Sequence, residues 1–308
     1  MAPAVPGGAP APTAVGRALG RLGDSWTLLI LQRAFLGVRR FAGWRDELGI
    51  SESVLAGRLR EMTAGGLLKT VPYRDGGRTR LEYLLTDAAL DLWSLFISIW
   101  SWERAWVPRA VPLPDLVHSG CGCVTDVVLS CGACGAGVGV RDTHAIRQPG
   151  LALGKALPPR MHPRRTRAAL PSDPLSSFPG ALEILGDWWG TAVLAGAMLG
   201  LRSFTQYQRE LGVSPDVLSD RLSRFVELEV LASGPGGYRL TDKGRATFPI
   251  MIGVAAWGDR WFTADGCCPA LQIVHRSCGA VLEPRLRCRE CGDLLERRTV
   301  SFNVEAQV

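Results

Sequence analysis

The sequence predicts a mainly helical α+β protein that contains two copies of one unit with small β-hairpins. Three observations predict it: a long internal repeat, helical spacing of apolar residues within each copy, and a cysteine-rich segment after each. The 308 residues are 47% hydrophobic and 21% charged, so the chain can form a core and is not of the disordered class. Its length allows two domains of ordinary size.

The repeat is visible when the chain is aligned with itself. LGRLGDSWTLLIL (19–31) matches LEILGDWWGTAVL (182–194), FAGWRDELGISESVLAGRL (41–59) matches FTQYQRELGVSPDVLSDRL (204–222), and EYLLTDAAL (82–90) matches GYRLTDKGR (237–245). The last match has a shorter offset, because the second copy has lost residues from one loop. A period of roughly 160 residues is too long for a solenoid and indicates a duplicated domain.

The first three predicted elements of each copy are helices. In the first copy an apolar stripe predicts one helix over 15–37, and a short helix follows over 41–48. Gly49 allows a tight turn, and Ser51 is placed to cap a third helix. In that helix Leu55, Leu59 and Met62 are expected to face the core. Gly65 and Gly66 end the helix.

A hairpin and a final helix complete the copy. Strands are predicted over 67–73 and 80–85, around the turn Asp75-Gly76-Gly77. Thr86 and Asp87 begin a tryptophan-rich helix through Trp106. A helix-turn-helix followed by a hairpin is a winged helix, in which the third helix enters a major groove and the hairpin lies along the backbone.

Such a unit predicts DNA binding, because phosphates supply most of the affinity and a few side chains at the helix read bases. The candidate DNA-binding residues are Ser51, Ser53, Arg58 and Arg60 on the third helix, Arg74, Arg78 and Arg80 on the hairpin, and Arg221 and Arg224 on the third helix of copy two. Helix-turn-helix patterns also occur in cores that bind nothing, and an arginine-bearing hairpin is often only a solvated surface.

The second copy departs from this pattern. Asp216 and Asp220 share the exposed region of its third helix, and its hairpin tip over 233–238 carries no charge. Acidic groups near phosphates repel, and the missing wing arginines remove attraction. The second unit is therefore expected either to bind DNA weakly or to serve as a built-in dimer partner for the first.

The order LGDSWTLLIL, FAGWRDELGISESVLAGRLREMTAGGLLKTVPY and LEYLLTDAALDL resembles the HxlR-type winged-helix transcription regulators over 15–106, and 179–262 resembles them less closely. Such regulators are usually single-domain dimers that pair through terminal helices and bind paired half-sites. The resemblance implies a sequence-specific, DNA-binding transcriptional regulator, with repression as the expected role. The duplication of the unit leads us to expect that the chain acts as a covalent pseudo-dimer, with a homodimer as the alternative. Some members sense redox state through a cysteine near the N-terminus. This chain lacks it, so thiol sensing is not implied.

The cysteine-rich segments predict two metal sites. His118, Cys121, Cys131 and Cys134 have the spacing H-x2-C-x9-C-x2-C, and His275, Cys278, Cys288 and Cys291 repeat it. Three thiolates and one imidazole, with no open position, suit a structural tetrahedral zinc ion, so two structural zinc sites are expected, one within each copy. Iron–sulfur centres and disulfides are the alternatives. Metal loss could also serve sensing, but three thiolates favour a structural role.

Three cysteines are left outside these patterns. Cys123, Cys267 and Cys268 are interpreted as partly buried spare thiols, with redox sensing at the last two as the lesser alternative.

The predicted organisation has six parts. They are a flexible tail (1–14), winged unit one (15–110), zinc ribbon one (111–140), a basic proline-rich linker (141–178), winged unit two (179–264) and zinc ribbon two (265–308). The linker holds seven basic and two acidic residues. It is interpreted as a solvated connection or as an arm, around 162–167, that lies in a minor groove or along phosphates.

Charge and segment length bear on localisation and partners. The formal charge of +6 suggests a polyanionic partner without naming one. No stretch approaches the apolar length of a membrane span, and the opening residues do not resemble a secretory signal. A cytoplasmic, nucleoid-associated protein is therefore expected, with no membrane partner and an unknown small-molecule effector.

Two other functions are open alternatives. Gln206-Tyr207-Gln208 superficially resembles the Gln-x-Gln motif of tandem winged-helix DNA-repair glycosylases, but no nearby carboxylate–histidine set supports catalysis, so an enzyme is not expected. A protein-interaction scaffold without DNA contact is the other.

Overall fold

The computed structural model describes residues 13–147, 178–263 and 271–303. The first copy contains α1 (Ala14–Leu22), α2 (Ser25–Phe35), α3 (Phe41–Leu48), α4 (Glu52–Ala64), β1 (Leu68–Asp75), β2 (Arg78–Leu85), α5 (Asp87–Leu90) and α6 (Trp93–Trp106). Its cysteine-rich segment contains β3 (Asp115–His118), β4 (Cys123–Val124), β5 (Val127–Cys131), a 3-10 turn (Val140–Asp142) and β6 (Thr143–Arg147).

The second copy repeats this order. It contains α7 (Pro179–Leu185), α8 (Trp188–Met198), α9 (Phe204–Leu211), α10 (Pro215–Glu227), β7 (Leu231–Gly234), β8 (Gly237–Leu240), α11 (Asp242–Arg245) and α12 (Phe248–Phe262), then β9 (Leu271–His275), β10 (Pro284–Cys288) and β11 (Val300–Asn303). The predicted α+β class with two helix-turn-helix units is confirmed. No helix of the described part is long and apolar enough to cross a membrane.

The first predicted helix is two helices, and the prediction of one continuous helix was wrong. The Asp24 carboxylate accepts hydrogen bonds from the backbone N–H groups of Trp26 and Thr27, so it caps α2 where one helix would have continued. The final helix is also divided: Thr86 caps the short α5, which ends at Leu90, and α6 begins at Trp93 without a side-chain capping bond.

The turn between α3 and α4 fits the sequence closely. Gly49 adopts a left-handed conformation with φ +58°, which glycine reaches without a steric cost. Leu55, Leu59 and Met62 are the buried residues of α4, as predicted. Ser51 stands at the N-cap position but makes no capping hydrogen bond.

The two winged units share one hydrophobic core and contact each other at equivalent positions. The indole N–H of Trp102 donates to the carbonyl oxygen of Lys243 (3.0 Å), and that of Trp257 donates to the carbonyl oxygen of Ala88 (2.7 Å). The two bonds are reciprocal: each copy donates from one tryptophan to the other copy, and both the tryptophans and the acceptor residues are matched in the repeat. Helix α12 lies so close to α1 that a Cβ on Gly258 would approach within 2.9 Å of the Ala14 carbonyl oxygen.

The cysteine-rich segments pair strands with each other. β5 and β10 form an antiparallel ladder in which Leu129 lies opposite Leu286, and the repeat also matches these two leucines. β3 pairs with β11 and β6 pairs with β9. Trp100 of α6 and Phe248 of α12 belong to the separate core under these strands, so strands from both halves pack against these two helices.

Candidate nucleic-acid interface and metal centres

Helix α4 exposes the side that is opposite its buried leucines. Ser53 and Arg60 are exposed, and within the described residues the guanidinium of Arg60 makes a hydrogen bond to its own helix, with Nε donating to the Ala56 carbonyl oxygen at 3.3 Å. Ser51 is also exposed, and its hydroxyl lies 3.4 Å from that of Ser53. This side therefore offers hydroxyls and one cation to an incoming ligand.

Arg58 has a different environment. Its guanidinium lies 3.5 Å from the carboxylate of Asp24 and 2.6 Å from that of Glu61, and its side chain is only 29% exposed. Asp24 is the residue that caps α2. Arg58 therefore connects the middle of α4 to the start of α2 by an ion pair.

The second copy repeats this connection. Arg221 pairs with Asp187 and Asp220. Burial lowers the pKa of the Arg221 guanidinium, but the carboxylates of Asp187 and Asp220 together outweigh burial and raise that pKa overall. The backbones of Asp24 and Asp187 form an antiparallel bridge, so both ion pairs lie at the contact between the copies. Arg224 pairs with Glu183 and Glu227.

The first wing, β1–β2, carries a cluster of exposed positive charge. Arg74, Arg78 and Arg80 are all exposed. Arg80 lies 3.3 Å from the carboxylate of Asp75, whereas no acidic partner is described for Arg74 or Arg78. Between the base and the tip, Arg40 pairs with Glu82 and lies over the ring of Tyr73, which fixes the hairpin beside α3.

The second wing, β7–β8, is shorter. Its strands have four residues each, whereas those of the first wing have eight. The Tyr238 N–H donates to the carbonyl oxygen of Arg202, so the hairpin lies against the segment that precedes α9.

The eight predicted metal ligands form two clusters, and their grouping corrects the expectation of one tetrad within each copy. One cluster contains His118, Cys121, Cys288 and Cys291, and the other contains Cys131, Cys134, His275 and Cys278. Each tetrad takes its His-x2-Cys pair from one copy and its Cys-x2-Cys pair from the other.

The β5–β10 ladder explains this exchange. The two strands run antiparallel, with Cys131 opposite Pro284 and Cys288 opposite Val127. Each strand therefore carries its cysteines away from its own histidine and toward that of the other copy. Identical spacing in both copies allows either grouping, so the sequence alone cannot distinguish them.

The donor atoms are spaced as a tetrahedral zinc site requires. The Sγ atoms of Cys121 and Cys288 lie 3.8 Å apart, and those of Cys131 and Cys278 lie 3.9 Å apart. The Nδ1 atom of His118 lies 3.4 Å from the sulfur of Cys121 and 3.4 Å from that of Cys291. Zn–S bonds of about 2.3 Å in a tetrahedron place sulfurs about 3.8 Å apart. With four protein donors, no position remains for a substrate.

Groups around the donors orient them. His118 and His275 are buried, and the Ser277 hydroxyl lies 3.1 Å from Nε2 of His275. Burial alone would raise the pKa of the Cys288 thiol, but hydrogen bonding with the Thr125 hydroxyl and with backbone N–H groups lowers it to about 6. A thiol held in this way is readily available as a thiolate ligand.

The remaining sequence interpretations have separate outcomes. Cys123 is exposed, not partly buried, whereas Cys267, Cys268 and the arm around 162–167 lie outside the described residues. Gln206 accepts hydrogen bonds from the backbone N–H groups of Arg202 and Ser203, so this glutamine of the Gln-x-Gln motif caps α9.

Sequence reasoning missed the Asp24–Arg58 and Asp187–Arg221 pairs. A signal was present, because both members of the pair recur in the two copies at one offset. Thr125 was also missed, and its counterpart in the other copy is Leu282, so the repeat gives no sign of its contact with Cys288.

Comparison with known proteins agrees with the fold. The profile of the HxlR-like helix-turn-helix family matches residues 21–111 and 184–265. An uncharacterised HTH-type transcriptional regulator of Mycobacterium tuberculosis is 40% identical over 137 residues, which cover 44% of this chain and 86% of the relative, and one of Mycobacterium bovis matches equally. Another, YvaP of Bacillus subtilis, is 30% identical over 92 residues, covering 27% and 85%. The chain belongs to the HxlR-like helix-turn-helix family and is a transcriptional regulator of the HxlR type.

Proposed function

We propose that this regulator binds double-stranded DNA through helix α4 and the first wing, and that it represses transcription by covering promoter DNA. The observation that carries this proposal is the exposed cationic surface formed by Arg60, Arg74 and Arg78 on the first of the two units that match the family. Phosphate attraction would supply most of the affinity, and side chains on the helix would select bases. Such a protein acts in the bacterial cytoplasm, at the nucleoid.

The candidate residues divide into two roles. Ser51, Ser53 and Arg60 face outward and are assigned to bases or nearby phosphates, and Arg74, Arg78 and Arg80 are assigned to phosphates. Arg58, Arg221 and Arg224 are engaged by acidic side chains. We assign them to holding the helices in place, since DNA would have to compete with those ion pairs.

The chain is proposed to act as a covalent pseudo-dimer. The reciprocal bonds of Trp102 and Trp257 support this, because each copy gives the other the same contact. The mycobacterial relatives are about half the length of this chain, so one chain here corresponds to two of theirs. Copy two then occupies the position of the second subunit.

Two structural zinc ions are proposed for the exchanged tetrads. The tetrahedral spacing of the sulfurs and the soft donor set support zinc. Each ion would join the two halves of the chain, because its ligands come from both. A stabilising role follows, since metal affinity adds to folding free energy when the site forms only on folding.

Gel shift and native mass spectrometry on duplexes enriched from a random library test the DNA proposal. One chain per duplex is expected, and R60A/R78A should bind far more weakly with unchanged zinc content. Equal binding by wild type and R60A/R78A would reject the assigned surface. Two chains on every bound duplex would reject the pseudo-dimer.

Paired cysteine variants test the metal proposal and its grouping together. In exchanged tetrads, C121S/C288S removes ligands from one site only, so one zinc per chain should remain by plasma mass spectrometry. C121S/C131S damages both sites and should retain none. Ligation within each copy predicts the reverse for these two variants, and a wild-type protein without zinc would reject the metal.

A further inference from the structure

The two recognition helices present different charges on their outward sides. The repeat aligns α4 with α10, and their buried anchors match: Leu55, Leu59 and Met62 correspond to Leu218, Leu222 and Phe225. The positions on the opposite side are Ser53, Gly57, Arg60 and Ala64 in α4, and Asp216, Asp220, Ser223 and Glu227 in α10. At these four positions α4 carries one cationic side chain and no carboxylate, whereas α10 carries three carboxylates and no cation.

Local ion pairs do not remove this difference. The two exposed acidic residues of α4 lie outside those four positions and are paired with arginines, Glu52 with Arg45 at 3.0 Å and Glu61 with Arg58 at 2.6 Å. Arg60 then remains as a cation without a described acidic partner. In α10, arginines neutralise Asp220 and Glu227, but Asp216 at the start of the helix has no ion pair among the described residues.

The wings differ in the same direction. The first extends four residues further on each strand, which is roughly 13 Å of additional reach at the usual rise per residue. It carries exposed Arg74 and Arg78 near its tip, whereas the tip of the second is Gly234-Pro235-Gly236. The short wing therefore lacks the reach of the long one, and it presents one exposed arginine, Arg239, where the long wing presents Arg74, Arg78 and Arg80.

We infer that the two units contribute unequally to DNA recognition: copy one selects the bases, and copy two completes the core and the metal sites without reading a half-site. The inference rests on the proposed function. It predicts that the DNA sequence recognised by the protein is a single asymmetric motif and not an inverted repeat. A carboxylate facing phosphates is repelled where a cation would release counterions, so copy two loses affinity at the positions where copy one gains it.

Selection of duplexes from a random library with the full-length zinc-loaded protein tests this inference. One asymmetric motif is expected. R60A/R78A should weaken binding to it at least about ten-fold, as loss of two cationic contacts requires, whereas the matched variant S223A/R239A in copy two should stay within about two-fold of wild type. D216S/D220A should tighten binding to a palindromic duplex built from two copies of the motif.

The outcomes separate this inference from the proposed function. An inverted-repeat motif, or a loss in S223A/R239A as large as in R60A/R78A, would overturn the unequal roles while leaving DNA binding intact. Unchanged affinity of D216S/D220A for the palindrome would contradict the repulsion. If no motif is enriched and R60A/R78A binds like wild type, the proposed function itself fails.

Discussion

The sulfurs of Cys131 and Cys278 lie 3.9 Å apart although 147 residues separate them in the chain. Cys121 and Cys288 form the equivalent contact at 3.8 Å. The two halves are thus joined at both ends of the β5–β10 ladder. Metal bound there would stabilise the contact between the winged units as well as the cysteine-rich strands.

Metal removal should lower stability without unfolding the winged units. A chelator is expected to lower the midpoint of thermal unfolding and to leave most helical circular dichroism in place, because the shared helical core does not include the ligands. Restored zinc should restore the midpoint. C123S, at an exposed cysteine outside both tetrads, is the control, and complete loss of helical signal on chelation would contradict the expectation.

Arg58 should matter for stability and Arg60 should not. R58A removes an ion pair to the residue that caps α2 and leaves Asp24 partly buried with less compensation, so it should lower the unfolding free energy by about 1 kcal/mol. R60A removes an exposed side chain and should leave it nearly unchanged. Urea titration of both variants measures the unfolding free energy. Equal stabilities of R58A and R60A would contradict the role of Arg58 in holding α4 against α2.

Glu103 is a further determinant of the contact between copies. It is fully buried and accepts hydrogen bonds from the Ala181 N–H (2.6 Å) and from Arg109 (2.8 Å). Burial raises the pKa of Glu103, although these bonds oppose it. E103A should destabilise the protein by about 3–5 kcal/mol, because it breaks a largely buried ion pair with Arg109. E227A, at an exposed carboxylate, provides the control in urea unfolding, and a similarly small loss in both variants would contradict the role.

Asp259 should give the stability a pH dependence. Burial raises the pKa of its carboxyl to about 6, above the value of an unfolded aspartate. Between about pH 4 and 6 the unfolded chain therefore loses this proton first, and the stability falls as pH rises. D259N should remove that part of the slope and raise the melting temperature at pH 7. D216N controls for loss of one negative charge, and parallel pH profiles for wild type and D259N would contradict this.

The wing arginines should determine part of the salt dependence of DNA binding. R74A/R78A is expected to reduce the slope of log affinity against log salt by about 2, because each lost phosphate contact releases about one counterion fewer. Fluorescence anisotropy between low and moderate salt measures the slope. R239A, in the short wing, should leave it unchanged, and an unchanged slope in R74A/R78A would place both arginines away from DNA.

Much of the fold follows from sequence because its signals are local. The buried spacing of Leu55, Leu59 and Met62, the left-handed Gly49 and the turn at Gly76-Gly77 all depend on neighbouring residues. The break at Asp24 was missed, because an apolar stripe continues through it and the capping bonds outweigh the stripe. The eight metal ligands were identified by spacing, but their grouping depends on strand pairing across 147 residues or more, which no local pattern encodes.

Because each cluster takes ligands from both copies, neither cluster is complete until the ribosome has synthesised most of the second copy. When the first copy has left the ribosome, its His118–Cys121 and Cys131–Cys134 pairs have only half of each set. The second cluster first becomes complete when Cys278 emerges, and the first when Cys291 emerges. A nascent chain that stops before Cys278 therefore cannot fill either cluster in the grouping of the finished protein, and only molecules that extend through Cys291 present two complete sets of donors.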